Sequence, residues 1–208
     1  MNSGLELTST TRKGFDLQEI NYDMNVLDIL TAQQCAQTLS HIDIINRYDV
    51  KLFIELGTYK GGALVYAIPN LMLDQEFRYV GFEILPWEVD GKTKRFALEH
   101  PRCQIILEDM FFECHLSAMS DLIKSTKGIV YVFCDGGDKP KELLTFSKFL
   151  RVGDIISVHD YVENQTGEVT DADLALLSDD FEYLDESLRK DILWMPTFIR
   201  VKLDDKDE

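Results

Sequence analysis

The chain has 208 residues, of which 45% are apolar, a composition that suits one α/β domain with a real core. Its net charge of −16, from 37 acidic and 21 basic residues, disfavours a nucleic-acid partner, because proteins bind phosphate backbones with clustered Lys and Arg. The apolar stretches are too short to span a bilayer, and no apolar run follows the first basic residues. We therefore expect no membrane partner and a cytoplasmic location.

The first 30 residues are mixed and weakly periodic, which predicts an irregular N-terminal arm or lid over residues 1–30, with a short helix near Asn25–Leu30. Residues 31–208 are predicted to form a single domain. Its first helix is predicted to run from an N-cap at Thr31 to Arg47. The apolar face predicted for this helix consists of Cys35, Leu39, Ile42, Ile44 and Ile45.

Short apolar strands and helices alternate along the rest of the chain. The predicted strands are Lys51–Leu56, Arg78–Glu83, Cys103–Leu107, Ile129–Cys134, Asp154–Val158 and a late strand, Leu193–Leu203. The predicted helices are Gly61–Leu73, Asp90–Glu99, Phe112–Lys124, Pro140–Leu150 and Thr170–Leu177. This alternation predicts an α/β fold, a three-layer Rossmann-like doubly wound sheet that is mostly parallel with a late antiparallel strand. Ligands of such sheets bind beyond the carboxyl ends of the strands, so the residues that follow each strand are candidate site residues.

A turn rich in glycine follows the first strand of this sheet. Gly57 permits a sharp turn with positive φ, and Gly61 and Gly62 let the backbone approach a ligand closely. Glu55 would face a cation or accept hydrogen bonds from a ligand amine, whereas it would repel a phosphate. The glycine spacing is not GxGxxG, and no GKS or GKT segment follows. The turn favours a cofactor site, with an ordinary strand-to-helix connection as the alternative.

Acidic residues follow the next two strands. Glu83 ends the second strand, where a carboxylate can accept hydrogen bonds from both hydroxyls of a ribose. Asp109 follows the third strand, where it could accept a hydrogen bond from an adenine amino group. Each residue has a structural alternative, a solvent-facing strand end for Glu83 and a helix N-cap for Asp109.

A third group of polar residues follows the fourth and fifth strands. Asp135 comes after the fourth strand, and His159 and Asp160 come after the fifth. One helix and one strand separate them, so the two strand ends are expected side by side. Two carboxylates and an imidazole suit Mg²⁺, Ca²⁺ or Mn²⁺, and the imidazole also admits a softer ion. The alternative is that Asp135 caps a helix and His159 is an ordinary loop residue.

Together, the E-x-G-T-x-x-G turn, the acid after the second strand and the Asp-Gly after the fourth resemble the class I S-adenosylmethionine-dependent methyltransferases. The resemblance covers about Val50 to Tyr161. It is closer to the small metal-dependent O-methyltransferases, of the catechol type and of the macrocin and cephalosporin-hydroxylase-like group. It implies S-adenosylmethionine as cofactor, O-methylation of a small hydroxylated molecule, and assistance by Mg²⁺ or another divalent cation.

The resemblance also assigns roles to residues. The cofactor-binding residues that it implies are Glu55, Gly57, Thr58, Gly61, Glu83, Asp109 and Asp135, and the metal ligands are Asp135, His159 and Asp160. His159 departs from the family pattern, in which an acid is usual at this place. The family's base, a His or Lys three residues past the acid of the fourth strand, is replaced here by Asp138. The candidate bases are therefore Lys139 with a lowered pKa, which we place first, Asp138 and His159.

Two other functions stay open at this point. A nicotinamide-dependent oxidoreductase could also use Glu83 to bind a ribose, although the GxGxxG pattern is missing. A non-catalytic domain that keeps the methyltransferase fold would account for the unusual residues at His159 and Asp138. If the chain is an enzyme, its small-molecule substrate must be covered by the N-terminal arm, by residues Tyr161–Thr170 or by the second subunit of a homodimer.

Overall fold

The structure, a computed structural model, describes residues 24–26, 29–31, 35–161, 168–184 and 195–202. The strands are β1 (Met24–Val26), β2 (Ile29–Thr31), β3 (Val50–Leu56), β4 (Arg78–Phe82), β5 (Cys103–Ile106), β6 (Ile129–Cys134), β7 (Ile155–Val158), β8 (Phe181–Tyr183) and β9 (Thr197–Arg200). The helices are α1 (Cys35–Arg47), α2 (Leu64–Leu73), α3 (Gly91–Glu99), α4 (Glu113–Ser125), α5 (Lys139–Phe146) and α6 (Asp171–Leu174).

Strands β3 to β9 form one seven-stranded sheet in the order β5-β4-β3-β6-β7-β9-β8. The first five strands of this order are parallel to one another, while β9 is antiparallel to both β7 and β8. The chain moves outward from β3 to β5 and then returns to the other side of β3 with β6. This confirms the predicted doubly wound, mostly parallel sheet with a late antiparallel strand, although strand β8 was not predicted.

Each face of the sheet carries its own apolar core, because successive side chains of a strand point to opposite faces. Phe53 packs on one side with residues of α1, α2 and α3. Leu52 and Ile54 pack on the other side with residues of α4, α5 and α6. The three predicted layers are therefore confirmed. Among the helices of the described ranges, none has the length and hydropathy needed to cross a bilayer.

The predicted helix near Asn25–Leu30 is wrong, because the described residues of this segment belong to the hairpin of β1 and β2. Val26 pairs with Ile29 across this antiparallel hairpin, and β-branched residues favour extended backbone. Thr31 consequently ends β2, and α1 begins at Cys35 rather than after an N-cap at Thr31. Residues 1–23 of the predicted arm lie outside the described residues, so the division into an arm and a domain stays a prediction.

The predicted apolar face of α1 is wrong in part. Among the residues of α1 whose burial the structure describes, the buried ones follow the i, i+3, i+4, i+7, i+8 pattern of a helix face and are Gln37, Ser40, His41, Ile44 and Ile45. Leu39, which the prediction placed on this face, is 56% exposed, since it lies on the opposite side of the helix. The polar members of the buried face have partners: Nδ1 of His41 lies 2.9 Å from the Tyr131 hydroxyl.

Asp154 joins the start of β7 to β6. Its side chain is 2% exposed, and Oδ1 accepts a hydrogen bond from the backbone N–H of Val130 at 2.9 Å. Its Oδ2 accepts hydrogen bonds from the backbone N–H and from Nε of Arg151, at 2.8 Å and 2.9 Å. One buried carboxylate therefore satisfies donors from two segments of the chain.

We expect the substitution Asp154→Ala to lower the free energy of unfolding by about 3 kcal/mol, because it leaves a buried N–H and a guanidinium without their acceptor. Urea denaturation measures this change. Asp179 is exposed and serves as the matched control, and Asp179→Ala should change the free energy by less than about 0.5 kcal/mol. Equal losses in the two variants would contradict the role given to Asp154.

Candidate cofactor and metal site

A cavity of about 410 Å³ opens at the carboxyl ends of the strands, around the point where the strand order reverses between β3 and β6. Its volume lies within the range of small-molecule sites. Six predicted site residues line it together: Gly57, Thr58, Glu83, Asp135, His159 and Asp160. Ile84, Leu85 and Met110 give it an apolar wall. Of the other predicted residues, Glu55, Gly61, Asp109, Asp138 and Lys139 do not line this cavity.

Gly57 lies where three strand ends meet. Its φ of +97° confirms the predicted positive φ, and a Cβ at this position would lie 2.3 Å from the backbone oxygen of Asp135. The backbone N–H groups of Gly57 and Thr58 both donate to the carbonyl of Phe82, each at 2.9 Å. Glycine is thus required because the turn after β3 runs directly against the end of β6.

Glu55 lies beneath this turn. Its carboxylate is fully buried and accepts hydrogen bonds from the backbone N–H of Ala63, at 2.5 Å, and from the Tyr79 hydroxyl. A Cβ on Gly62, whose φ is +43°, would lie 2.4 Å from this carboxylate. Burial raises the pKa of Glu55 to about 8. In this position Glu55 shapes the turn from below, whereas the sequence led us to expect it beside the ligand.

Glu83 faces the cavity with its carboxylate already oriented. Oε2 accepts a hydrogen bond from the Tyr59 backbone N–H at 2.7 Å, and Oε1 accepts one from that of Leu85 at 2.8 Å. The residue is 7% exposed, so the solvent-facing alternative does not hold. Each carboxylate oxygen keeps a further lone pair for a ligand hydroxyl.

Asp109 lies in the turn that precedes α4. Its Oδ1 accepts a hydrogen bond from the Phe111 backbone N–H at 2.8 Å. The N-cap residue of α4 is Phe112, so Asp109 does not cap this helix. Its neighbour Met110 reaches the cavity wall.

The parallel ladder brings the predicted metal ligands together. The backbone N–H of Asp135 donates to Leu56 O, and that of His159 donates to Cys134 O, so both residues extend the sheet pairing past β6 and β7. Nδ1 of His159 consequently lies 3.0 Å from Oδ1 of Asp135 and 3.2 Å from Oδ1 of Asp160. Asp160 has a φ of +57°, an uncommon backbone conformation of the kind that concentrates at functional sites.

These three side chains fit a divalent cation. One donor atom from each lies within 4.8 Å of the others. Nδ1 of His159 is buried and makes no well-directed hydrogen bond to either aspartate, although both carboxylates are close. Adjacent ligands of an octahedral ion with bonds of about 2.1 Å lie about 3.0 Å apart. The observed separations suit atoms that share an ion, and they also suit hydrogen bonds from a protonated Nδ1.

The surroundings of the candidate bases differ from what the sequence indicates. Burial alone would lower the pKa of Lys139, but its contacts with Glu168, at 2.5 Å, and with Asp160, at 3.0 Å, outweigh burial and raise it. Lys139 would need a lowered pKa to act as a base, and the carboxylates around its ammonium group oppose that condition. Burial would also lower the pKa of His159, yet the carboxylates of Asp135 and Asp160 raise it to about 9. The exposed Asp138 is the N-cap of α5, where it accepts a hydrogen bond from the Lys141 backbone N–H at 3.3 Å.

The sequence did not single out three residues that support this site. Gln37 of α1 contacts the ring of His159 from the far side. Glu168 binds Lys139. Glu142 is fully buried and accepts hydrogen bonds from the backbone N–H groups of Gly136 and Asp138, and burial raises its pKa to about 7. Only Glu142 leaves a local signal, an acid in the first turn of a helix next to exposed backbone donors.

Solved structures of other proteins share this fold. No family model and no curated protein matches the chain. The Mg-SAM structure of CmcI matches with a TM-score of 0.65 at 12% identity, covering 94% of this chain and 88% of that one. The SAH structure of CmcI gives 0.62 at 11% identity, with 90% and 88% covered. The O-MT segment of StiE gives 0.50 at 12% identity, with 82% and 75% covered.

The chain has the methyltransferase fold. These matches confirm the fold that the sequence resemblance implied, and at 11–12% identity they bear on the fold alone. They give no support to the nicotinamide alternative. Support for the role of each residue in binding a metal or cofactor therefore comes from the geometry of the cavity.

The buried carboxyl of Glu55 predicts a specific pH dependence of stability. Its pKa is raised from 4.5 to about 8 in the folded chain, so between these values the folded state holds a proton that the unfolded state has lost. The free energy of unfolding should therefore fall as the pH rises from about 5 to 8, by up to about 1.4 kcal/mol per pH unit from this group. Glu55→Gln should remove this contribution, measured by urea denaturation across this pH range.

The exposed Glu99 provides the control, since Glu99→Gln should keep the wild-type slope. Parallel pH profiles for wild type and Glu55→Gln would show that Glu55 is ionised at neutral pH.

Proposed function

We propose that this chain is an S-adenosylmethionine-dependent O-methyltransferase that acts on a small hydroxylated molecule with the help of a divalent cation. The observation that carries the proposal is the convergence on one cavity of the glycine turn, the oriented carboxylate of Glu83 and the Asp135, His159 and Asp160 cluster. The match to CmcI structures described as Mg-SAM and SAH supports this choice of ligands.

The cofactor would lie across the strand ends. Gly57 and Thr58 would pass beneath its methionine part, and Glu83 would accept hydrogen bonds from the ribose hydroxyls. The apolar side chains of Ile84, Leu85 and Met110 would enclose the adenine. Asp109, next to Met110, is the proposed acceptor for the adenine amino group. Glu55 acts through the turn rather than through the ligand.

Asp135, His159 and Asp160 would hold the cation. A divalent cation at this position would lower the pKa of the acceptor hydroxyl. Lys139 contacts the outer oxygen of Asp160, Oδ2, at 3.0 Å, which leaves Oδ1 facing the cluster. Lys139 is therefore a positioning residue rather than a base.

The chain must also align the acceptor with the cofactor. Methyl transfer requires the acceptor oxygen and the methyl carbon about 3 Å apart and in line with the leaving sulfur. Glu83 would hold the nucleoside, and the Asp135 cluster, with its cation, would hold the acceptor. With His159 as a ligand, Lys139 ion-paired and Asp138 capping α5, we propose that the hydroxyl proton leaves to solvent water.

Calorimetric titration with S-adenosylhomocysteine tests the cofactor site. We expect saturable binding with one site per chain, and no binding of NAD at the same concentrations. Glu83→Ala should weaken the affinity by about 10- to 100-fold, because hydrogen bonds to a charged group contribute about 1.5–3 kcal/mol. Glu88→Ala, in the same loop but outside the cavity lining, should stay within about twofold of wild type. Binding of NAD in place of S-adenosylhomocysteine would overturn the proposal.

Turnover is tested separately, with S-adenosylmethionine, Mg²⁺ or Mn²⁺ and a panel of catechols and sugar hydroxyls. Release of S-adenosylhomocysteine supports the enzyme. Tight cofactor binding without release on any acceptor would favour the non-catalytic alternative.

A further inference from the structure

Gln37 of α1 holds the imidazole of His159 on the side away from the aspartates. Gln37 is 2% exposed, and its amide nitrogen, Nε2, lies 2.6 Å from Nε2 of His159. The other ring nitrogen, Nδ1, lies between the carboxylates of Asp135 and Asp160. The two nitrogens of one ring therefore face different partners, a buried amide and the cluster.

The length of the amide contact indicates which amide atom faces the ring. A rotation of 180° exchanges the oxygen and nitrogen of a glutamine, and the hydrogen-bond network decides between them. Hydrogen bonds from N–H to oxygen are about 2.7–3.2 Å long, so a separation of 2.6 Å suits an oxygen acceptor better than a second nitrogen. We therefore assign the amide oxygen of Gln37 to this position in place of the nitrogen, and with the oxygen there Nε2 of His159 carries the hydrogen and donates it.

The hydrogen on Nε2 leaves the lone pair of a neutral imidazole on Nδ1. That lone pair then points between two carboxylate oxygens, at 3.0 Å and 3.2 Å, which is repulsive unless a metal cation lies among them or Nδ1 also carries a proton. A partner on the outer nitrogen that fixes the tautomer of a metal-ligating histidine is a recurrent feature of metal sites.

We propose that Gln37 fixes His159 as an Nδ1 metal ligand and so makes this site prefer transition-metal ions that bind imidazole nitrogen well, such as Fe²⁺ or Ni²⁺, over Mg²⁺ and Ca²⁺. The inference rests on the proposed function, since it names the metal class of the same site. Imidazole suits Fe²⁺, Ni²⁺ and Zn²⁺, whereas Mg²⁺ and Ca²⁺ favour oxygen; Mn²⁺, the weakest binder of the first-row series, serves below as the paramagnetic probe. Gln37 acts through His159 and is a positioning residue.

The first test uses the full chain with Mn²⁺ alone, without cofactor or acceptor. Electron paramagnetic resonance of free Mn²⁺ should give one bound ion per chain. Electron spin-echo envelope modulation should show coupling to a directly bound ¹⁴N in wild type. His159→Asp should abolish this coupling and make Mg²⁺ a stronger competitor for the bound Mn²⁺ by about tenfold or more.

The second test addresses Gln37 itself. Gln37→Leu should weaken Mn²⁺ binding by about 10- to 100-fold, because the ring loses the acceptor that fixes its tautomer. Gln37→Glu keeps an acceptor of the same reach and should stay within about threefold of wild type. Asn46→Leu removes an exposed amide from the same helix and should leave the affinity unchanged. A purely structural role would lower the melting temperature without separating the Mn²⁺ affinities of the Leu and Glu variants.

The outcomes separate this inference from the proposed function. Bound Mn²⁺ without ¹⁴N coupling in wild type would overturn the inference, with His159 protonated and paired to the aspartates, and would leave a metal-assisted enzyme possible. Absence of Mn²⁺ binding, with S-adenosylhomocysteine still bound, would overturn the inference together with the metal part of the proposal. If the wild-type chain bound Mn²⁺ with ¹⁴N coupling but did not bind S-adenosylhomocysteine, only the assignment of the cofactor would be overturned.

Discussion

The site depends on the close approach of three strand ends around Gly57. The backbone of this residue donates to the carbonyl that ends β4, and its α-carbon lies so near the carbonyl of Asp135 that a side chain has no room. Glu55 and Tyr79 hold the same turn from beneath through buried hydrogen bonds. Because the turn is fixed on both sides, Glu83 and Asp135 open onto one cavity rather than onto separate surfaces. The packing of Glu55 and Tyr79 beneath the turn thus positions the site residues Glu83 and Asp135 above it.

Much of this arrangement could be predicted from the sequence. Continuous apolar strands such as Ile129–Cys134 are buried on both faces, and polar residues directly after them can lie only at the carboxyl edge of the sheet. This logic located Glu83, Asp135 and the His159-Asp160 pair. It failed for β8 and for the hairpin of β1 and β2, because strands of three residues are too short to show a period.

The sequence could not supply the partners of buried polar groups. Gln37 and His41 lie on the buried face of α1 because each has a polar partner there, which a pattern of apolar residues does not register. Lys139 is another residue whose partners could not be read from the sequence. Its place after Asp135 suggested a base, but burial, which would lower its pKa, is outweighed by Glu168 and Asp160, which come from other parts of the chain and raise it. The spacing of residues along the sequence predicts which of them lie close together, whereas their protonation states depend on all the groups packed around them.

The histidine at position 159, where the family usually has an acid, changes the charge and the ligand atoms available to an ion. Two carboxylates and a neutral imidazole carry one negative charge fewer than a set of three acids, and the ammonium of Lys139, 3.0 Å from Asp160, offsets more of what is left. Ions such as Mg²⁺ and Ca²⁺ are bound chiefly by charge and oxygen ligands, so their affinity should fall most. Transition ions regain part of that loss through the bond to nitrogen. A residue that weakens the family resemblance can in this way alter which ion the fold selects without removing the site.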